Sequence, residues 1–391
     1  MKKQVFFRAP VLSQSGYGIH SRMCAKYLLD RADKGDFDLN FEALPWGQTS
    51  WMLNSKLEDG LVGRIIERTK PATGSIDISM QLQLPNEWNP TLGRQNIGLT
   101  AAVETDKCNP EWVHACNRMS EIVVPSRFTE SVLRASGSVF KPISVIPESF
   151  PTEFLTPQTP TEPLFTFNTN FNYLVFGQFT GVDAETDRKN LFFTLKWMVE
   201  TLKDQRNTGI ILKTNTGTSS CIDRAATRNT VLRVLQELGK PVDSLPIYLI
   251  HGDLSTSELY SLYTHPTVKA LVSLTRGEGF GLPLLEAAAC GLPVIATEWS
   301  AHIEFLNAGK WLPVEYTMTP IPNSRVDGQI FVAGSRWAQA SERSFKRVLT
   351  KFQSSYTTPR DWARSLQVKL HATHSPSAIA IHYDTLLERY L

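Results

Sequence analysis

Residues Leu274–Pro293 read LTRGEGFGLPLLEAAACGLP, and this stretch decides the fold class of the chain. Pro283 suits the first turn of a helix, Gly291 suits the position just after its end, and Pro293 stops it. We therefore expect a helix of about two turns over Pro283–Cys290, directly after a glycine-rich loop. Apolar residues before the loop and after the helix have the composition of buried strands. A strand, a glycine-rich loop, a helix and a second strand predict an α/β domain with a parallel sheet.

The loop and the helix start together predict an anion-binding site. Gly279 and Gly281 allow the backbone to approach a ligand without an intervening Cβ atom. The N–H groups of the first helical turn and the helix dipole favour a negatively charged group there. Glu278 before the helix and Glu286 inside it add acceptors on both sides of that anion. This arrangement suits a nucleotide sugar; the alternative is a well-capped helix between two strands with no ligand.

The composition is that of a folded protein with two domains. The chain has 391 residues, more than one ordinary core accommodates, and 42% hydrophobic with 20% charged residues is typical of globular proteins. A net charge of +2 argues neither for nor against nucleic acid or a membrane surface. Five cysteines without a Cys-x-x-Cys pair favour a reduced compartment. We expect neither a signal peptide nor a membrane-spanning segment.

Short apolar strands alternate with helical patterns along the chain, which predicts mainly parallel sheets. Strands are expected at Val5–Phe7, Phe37–Ala43, Ile76–Leu82, Asn96–Ala102, Ile122–Val124, Tyr173–Gly177, Gly209–Lys213, Ile247–His251, Ala270–Leu274 and Pro293–Thr297. Further helices are expected after Ser13–Gly18 and at Pro110–Met119, Arg127–Ala135, Asn190–Leu202, Asp223–Leu238, Ser257–Tyr263 and Ser377–Leu391.

A proline-rich stretch divides this pattern. Residues 147–163 contain five prolines and few periodic apolar positions, which predicts an interdomain linker. The expected domains are residues 1–155, which would bind the acceptor, and residues 164–370, which would bind the nucleotide sugar. The last helix, in residues 371–391, is expected to pack back toward the first domain.

Glu278 and Glu286, separated by seven residues, resemble the signature of the family 4 retaining glycosyltransferases. Other segments are similar to the same family, namely Asn96–Gly98, Glu104–Asp106, Pro110–Trp112, Val124–Phe128, Val175–Gly177, Asp187–Asn190, Val294–Thr297 and Ala301–Phe305. The resemblance covers most of residues 96–310. It implies two Rossmann-like, doubly wound α/β domains that face each other across a cleft, the GT-B architecture.

The resemblance also implies roles for individual residues. In such enzymes the first glutamate, here Glu278, contacts hydroxyls of the donor sugar, and the second, Glu286, holds the ribose. Glu104 follows an expected strand and would reach the acceptor or the transferred sugar; helix capping is the alternative for it and, more so, for Asp106. Further donor contacts are expected from Gly279, Phe280, Gly281 and Leu282, and from Leu254 in the stretch His251–Leu254 that would line the nucleobase pocket.

The diphosphate requires positive charge. A basic residue in the loop that holds Arg188 and Lys189 neutralises it in this family, and Lys189 is the better candidate here. The family often has an arginine just after the first strand of this domain, whereas this chain has Gln178. Lys213 is the expected substitute because strand ends face the ligand crevice of doubly wound sheets. The alternative for all three cations is a solvated charged surface.

The first domain offers weaker signals. Gly16 and Gly18 follow the first strand and precede a helix, so the same anion argument applies to them. A dinucleotide fingerprint requires a further glycine where Ser21 stands, which argues against a dehydrogenase. Asp36-Phe37-Asp38 has the spacing of a metal-dependent glycosyltransferase motif, but we interpret it as a solvated strand start. Trp46, Trp51 and Trp88 are interpreted as packing residues, with stacking on a sugar or base as the alternative.

The implied function is retaining transfer of a sugar from a UDP- or GDP-sugar to an acceptor hydroxyl of a glycan, a glycoconjugate or a small molecule. No cofactor or metal is required by this interpretation. Three alternatives remain open: glycosylation of hydroxymethylated bases in phage-type DNA, a nucleotide-sugar epimerase, and a non-catalytic nucleotide-sugar-binding module. The expected location is the cytoplasm, with peripheral attachment at the inner membrane or a phage host's cytoplasm as variants. The sequence predicts no particular oligomeric state.

Overall fold

The computed structural model describes residues 2–71, 74–101, 103–156, 164–215, 217–237 and 245–391. The chain forms two compact units. The first unit comprises Met1–Val103, Lys107–Ser149 and Pro376–Leu391, and the second comprises Glu104–Asp106 and Phe150–Ser375. The short segment Glu104–Asp106 therefore packs with residues far along the chain.

The elements are numbered here in chain order. The strands are β1 (Gln4–Ala9), β2 (Asp38–Ala43), β3 (Ile78–Leu82), β4 (Gln95–Leu99), β5 (Glu121–Val124), β6 (Ile143–Val145), β7 (Phe171–Phe176), β8 (Thr208–Thr214), β9 (Ile247–His251), β10 (Val268–Ser273), β11 (Val294–Thr297), β12 (Leu312–Val314), β13 (Tyr316–Pro320) and β14 (Arg336–Ala340). The α-helices are α1 (Gly16–Asp33), α2 (Leu61–Glu67), α3 (Pro110–Arg118), α4 (Arg127–Ser136), α5 (Leu191–Leu202), α6 (Cys221–Glu237), α7 (Thr256–Tyr263), α8 (Leu282–Ala289), α9 (His302–Leu306), α10 (Glu342–Ser354), α11 (Thr357–His374) and α12 (Pro376–Leu387).

The first unit is built on a six-stranded sheet in the order β2-β1-β3-β4-β5-β6, with every pair parallel. Its strands are short and rich in β-branched and aromatic residues, as parallel strands covered on both faces require. The C-terminal helix α12 contributes Ile379, Tyr383, Leu386 and Leu387 to the core of this unit. Tyr27 of α1 donates a 2.7 Å hydrogen bond to Asp384, which adds a polar contact to the apolar packing.

The second unit contains a parallel six-stranded sheet in the order β12-β11-β10-β7-β8-β9. Counted from its first strand, this is the 3-2-1-4-5-6 order of the dinucleotide-binding fold. A separate antiparallel hairpin of β13 and β14 follows the last strand of the sheet. Helices α10 and α11 come next; α10 packs on α5, and α11 packs on α8.

The signals at the helix ends correctly predicted α8. Pro283 is its second residue, and Gly291, with a φ of 73°, follows the C-cap residue Cys290. Other boundaries shift: Gly16 and Gly18 form the first turn of α1 rather than a loop before it. Ala102 and Leu238, the predicted ends of a strand and a helix, lie outside the described residues, as do residues 157–163 of the predicted linker. The described part of that linker contains the buried rings of Phe150 and Phe154.

Several elements have no counterpart in the sequence interpretation. They are α2, β6, α9, β12, the β13–β14 hairpin, α10 and α11. None of the helices in the described part of the chain combines the length and the apolar character needed to cross a bilayer.

Candidate functional site

The topology of the second sheet predicts where a ligand binds. Its strand order reverses between β7 and β10, which lie side by side. In open α/β sheets the loops beyond the carboxyl ends of such strands separate and form a crevice. The loop after β7 carries Arg188 and Lys189, and the loop after β10 carries Glu278. Three of the residues singled out in the sequence therefore belong to the two loops that flank this point.

Four charged side chains meet there, and we call Glu104, Arg188, Lys189 and Glu278 the charge cluster. Lys189 Nζ lies 2.6 Å from Glu278 Oε1, and Arg188 NH1 lies 3.5 Å from the same oxygen. Arg188 Nε lies 2.6 Å from Glu104 Oε2. Arg188 is buried, so the alternative of a solvated charged surface is wrong for this residue. The cluster contains two positive and two negative groups in contact.

The two carboxylates of the cluster differ in their electrostatics. Burial raises the pKa of Glu278, but Lys189 and Arg188 together with a 2.8 Å hydrogen bond from Thr275 outweigh it and lower that pKa to about 2. Burial raises the pKa of Glu104, and the neighbouring Arg188 only partly opposes this effect. Glu278 is therefore ionised at neutral pH and accepts hydrogen bonds without donating a proton.

Glycine at position 277 allows Glu104 to join the second unit. A Cβ atom at Gly277 would lie 2.1 Å from the backbone oxygen of Glu104, so no larger residue fits without displacing that segment. Asp106 anchors the same segment: its carboxylate accepts from the Arg336 backbone N–H at 2.6 Å and from Arg336 Nε at 2.8 Å. Asp106 is thus not a cap of α3, so the alternative of helix capping is wrong for it. Asn109 is the cap, accepting from the N–H of residue 111.

Arg276 supports the loop that carries the two cations. Its guanidinium is buried and donates to the backbone oxygens of Glu185 and Asp187, at 2.5 and 3.2 Å. It also bonds to Gln339 Oε1 and lies 4.9 Å from the centre of the Trp337 ring. The sequence interpretation assigned it no role. A basic residue two positions before the first glutamate was a visible signal, but its partners are about 90 and 60 residues away.

The start of α8 is shaped as the sequence predicted, although its side chains mostly pack. Gly281 is the N-cap residue in the left-handed conformation, with a φ of 99°, and its carbonyl accepts from the N–H groups of Leu284 and Leu285. The Phe280 ring packs on Phe305 at 5.4 Å between centroids. Leu282, the first residue of the helix, is also buried. Phe280 and Leu282 therefore have backbone groups, not side chains, to offer a ligand.

Residues just after β11 fix the backbone next to α8. The N–H of Glu278 donates to Ser300 Oγ at 2.9 Å, and the N–H of Ala301 donates to the Glu278 carbonyl. His302 shares a hydrogen bond of 2.7 Å with the Thr297 carbonyl, and burial lowers its pKa. Glu278 is consequently held through both its backbone and its carboxylate, which pre-organises it for a ligand. Gly279 lies in this same short loop.

Glu286 lies apart from the charge cluster, on a buried face of α8. Its Oε2 accepts a 3.0 Å hydrogen bond from the hydroxyl of Tyr263, the last residue of α7. Burial raises the pKa of Glu286 to about 7, although the hydrogen bond from Tyr263 opposes that effect. The sequence interpretation did not name Tyr263. In the sequence, the sign of a role for Tyr263 is limited to a hydroxyl at the end of a largely apolar side chain.

Lys213 contacts the loop that follows β9. Its ammonium donates to the Gly252 carbonyl at 2.7 Å and lies 5.2 Å from the centre of the Phe176 ring. Burial lowers its pKa to about 8. Gly252 has a φ of 107°, a left-handed conformation that favours glycine, and Leu254 follows just before the cap of α7. The role of Lys213 at the diphosphate stays a prediction.

The glycines of the first unit have a structural explanation. A Cβ atom at Gly18 would lie 1.9 Å from the Ser13 backbone oxygen, so the turn before α1 requires glycine. Gly16 has open space around its Cα. Of the three tryptophans, Trp88 is buried as expected, but Trp51 is 42% exposed, so its interpretation as a buried packing residue is wrong. Trp46 stacks on Tyr17 with 4.4 Å between ring centroids.

Metal binding has no support in the described ranges. Among those residues, no group of three or more His, Cys, Asp or Glu side chains could hold a metal ion. Asp36 and Asp38 bond to Arg31 and Gln4, and Asp38 begins β2, which fits their interpretation as a strand start.

The chain is similar to known proteins in one segment of its sequence and in its fold. The family model of glycosyl transferases group 1 matches residues 248–317, which include Glu278 and Glu286. Sucrose-phosphate synthase from Thermosynechococcus elongatus is 14% identical over 99% of both chains, with a TM-score of 0.67. Anabaena HepE in complex with UDP and glucose is 13% identical over 99% of both chains, with a TM-score of 0.61. The α,α-trehalose 6-phosphate synthase from Burkholderia multivorans is 8% identical over 100% of this chain and 99% of its own, with a TM-score of 0.62.

The comparison with curated protein sequences gives no match. The structural similarities are too distant in sequence to show more than the fold. They confirm the predicted fold class, an α/β chain with two Rossmann-like domains.

Proposed function

We propose that this protein is a retaining glycosyltransferase that moves a sugar from a nucleoside diphosphate sugar to an acceptor hydroxyl. The observation that carries the proposal is the charge cluster beyond β7 and β10, with Glu278 inside the segment that matches glycosyl transferases group 1. Solved structures of similar fold include two disaccharide-phosphate synthases and one protein with bound UDP and glucose, which supports a sugar nucleotide as the donor.

The proposed donor site uses three chemical groups. Glu286 would hold the ribose hydroxyls, because an ionised carboxylate accepts two hydrogen bonds from adjacent hydroxyls. Lys189 and Arg188 would face the diphosphate, together with the N-terminus of α8. Glu278 would accept from hydroxyls of the transferred sugar. Its contacts with Lys189, Thr275 and Arg188 all fall on Oε1, which leaves its second oxygen to the sugar.

The chemistry follows from the charge that develops on the leaving group. When the bond from the sugar to the diphosphate breaks, negative charge grows on the leaving oxygen and positive charge on the sugar ring. Lys189 and Arg188 would stabilise the leaving phosphate. Glu278 is a weak nucleophile, since its pKa is lowered to about 2 and several donors hold its Oε1. This favours attack by the acceptor from the leaving-group face, which retains the anomeric configuration, over a glycosyl-enzyme intermediate on Glu278.

Glu104 has a different place in the proposal. It pairs with Arg188, and its carboxyl retains a proton more readily than an ordinary glutamate because burial raises its pKa. A carboxyl of this kind exchanges between hydrogen-bond donor and acceptor as its surroundings change. We propose that it contacts the transferred sugar or the acceptor hydroxyl.

The acceptor is proposed to be a hydroxyl of a glycan or glycoconjugate. The exposed ring of Trp51 in the first unit supports this choice, since sugar rings stack on exposed aromatic faces. Transfer to hydroxymethylated DNA remains an outcome of the test.

The test is turnover of labelled donors by the full chain. UDP- and GDP-sugars carrying a radiolabelled sugar are incubated with the protein and with glycans or hydroxymethylated DNA, and the products are separated. Label in an acceptor or as free sugar supports the proposal, and nuclear magnetic resonance of the product reports retention. An epimerised donor would indicate an epimerase, and binding without turnover would indicate a binding module. Glu298→Gln, a change at an exposed residue, should turn over the donor as the wild type does.

A further inference from the structure

The Tyr263–Glu286 pair is the starting point. Both side chains are buried, with 1% and 4% of their surfaces exposed. The hydroxyl of Tyr263 donates to Oε2 of Glu286 at 3.0 Å. Burying a carboxylate is costly, and a hydrogen-bond donor that reaches it offsets part of this cost and fixes its orientation.

The ring of Tyr263 is held by its aromatic neighbours. Phe176, at the end of β7, stacks on it at 6.4 Å between centroids with an interplanar angle of 20°. Phe154 meets it edge-on at 6.2 Å. The Lys213 ammonium in turn lies over the ring of Phe176. The hydroxyl of Tyr263 therefore has a fixed direction, and the oxygen it reaches on Glu286 is determined by packing that no ligand has to supply.

We propose that Tyr263 is a positioning residue for nucleotide recognition: its hydroxyl orients the Glu286 carboxyl to accept both ribose hydroxyls and favours the ionised form of that carboxyl. This inference rests on the proposed function, because it assumes that Glu286 binds the ribose. The hydrogen bond occupies one lone pair of Oε2. The remaining acceptor sites of the carboxylate stay available for two adjacent hydroxyls.

The pair implies a pH-dependent affinity for the donor. With a pKa of about 7, Glu286 is partly protonated at neutral pH, and a protonated carboxyl loses acceptor capacity. Affinity should therefore rise as the pH increases through 7. Among the described residues, the titratable groups that interact with Glu286 are Tyr263 from α7 and Cys290, the C-cap residue of α8. From the elements packed against α8, His371 bonds to the Ala289 carbonyl and His302 to the Thr297 carbonyl instead.

The experiment measures binding of UDP-glucose and GDP-glucose to the full chain between pH 5.5 and pH 8.5 by calorimetry. A nucleotide sugar is the right probe because its diphosphate is esterified at both ends and lacks the ionisation near pH 6 of a terminal phosphate. Tyr263→Phe removes only the hydroxyl. Tyr260→Phe is the matched control, since Tyr260 lies one turn earlier on α7 and its ring also contacts Phe154. Thermal unfolding of each variant reports whether it is folded.

We expect the pH dependence of donor binding to shift in Tyr263→Phe and not in Tyr260→Phe. The midpoint of the pH profile of Tyr263→Phe should move up by about one pH unit, because a tenfold preference for the ionised form equals one pKa unit. Its affinity should fall about fivefold at pH 7 and about tenfold well below pH 7. Tyr260→Phe should match the wild type, and Glu286→Gln should bind weakly without a pH midpoint. If Tyr263→Phe proves unfolded, Glu286→Gln provides the test. An affinity of Glu286→Gln that still changes with pH at the wild-type midpoint would show that another group titrates, which overturns the inference.

Two failures are distinguishable. If the wild type binds neither nucleotide sugar, the proposed function fails and the inference fails with it. If the wild type binds but the pH profile of Tyr263→Phe coincides with that of the wild type, only the inference is overturned. A loss of affinity in Tyr263→Phe that is equal at every pH would likewise show that Tyr263 serves packing alone.

Discussion

Replacing Glu278 by glutamine tests the electrostatics of the charge cluster through protein stability. The carboxyl has a pKa of about 2 in the folded protein and 4.5 as its ordinary value. A pKa difference of this size corresponds to about 3 kcal/mol in favour of the folded state when the group is ionised. Because the folded pKa is the lower one, this stabilisation is fully present above pH 4.5 and is lost as the pH falls toward 2.

The assay is urea-induced unfolding of the wild type and Glu278→Gln at pH 7 and at a series of lower pH values. At pH 7 the variant should be less stable by about 3 kcal/mol, and at pH 3 by about half that amount. Glu298→Gln, at an exposed residue, should change stability by less than about 0.5 kcal/mol. Equal stability of Glu278→Gln and the wild type at pH 7 would refute this reasoning, and so would a deficit that does not shrink in acid.

Three further predictions concern the surroundings of the cluster. Gly277→Ala should destabilise the protein by about 1–3 kcal/mol in thermal unfolding, because its Cβ atom would lie 2.1 Å from the Glu104 carbonyl; an unchanged melting temperature would contradict this. Arg276→Met should raise the KM for the donor more than it changes kcat, because the loop that carries Arg188 and Lys189 loses its support. Steady-state kinetics measure both constants, and an unchanged KM would contradict this prediction. Lys189→Met should lower kcat about 10²-fold through loss of leaving-group stabilisation, and a kcat within twofold of the wild type would count against that role.

The sequence predicted the local part of the site because its signals are local. Pro283 and Gly291 mark the ends of α8, and both are where the helix rules require them. The meeting of Lys189 with Glu278 was reachable only through the resemblance to a glycosyltransferase family. Their separation of 89 positions is bridged by the adjacency of β7 and β10, which periodicity alone does not reveal.

The parts that the sequence did not predict depend on distant partners. Aspartate is common at helix caps, but Asp106 bonds to Arg336, 230 positions away. Rules that use only neighbouring residues do not predict such a contact. Strand β6 has only three residues, too few for a period-2 pattern to stand out. Tyr263 has the sequence context of an ordinary helical residue, and its polar partner Glu286 lies on another helix.

The most direct test of the central claim is calorimetric titration of UDP and GDP into the wild type and Glu286→Ala at pH 8, where Glu286 is mostly ionised. We expect the wild type to bind at least one nucleotide, and Glu286→Ala to lose measurable binding while its melting curve remains cooperative. The same affinity in both proteins would contradict the assignment of Glu286 to the ribose, and no binding by the wild type would contradict the donor site itself.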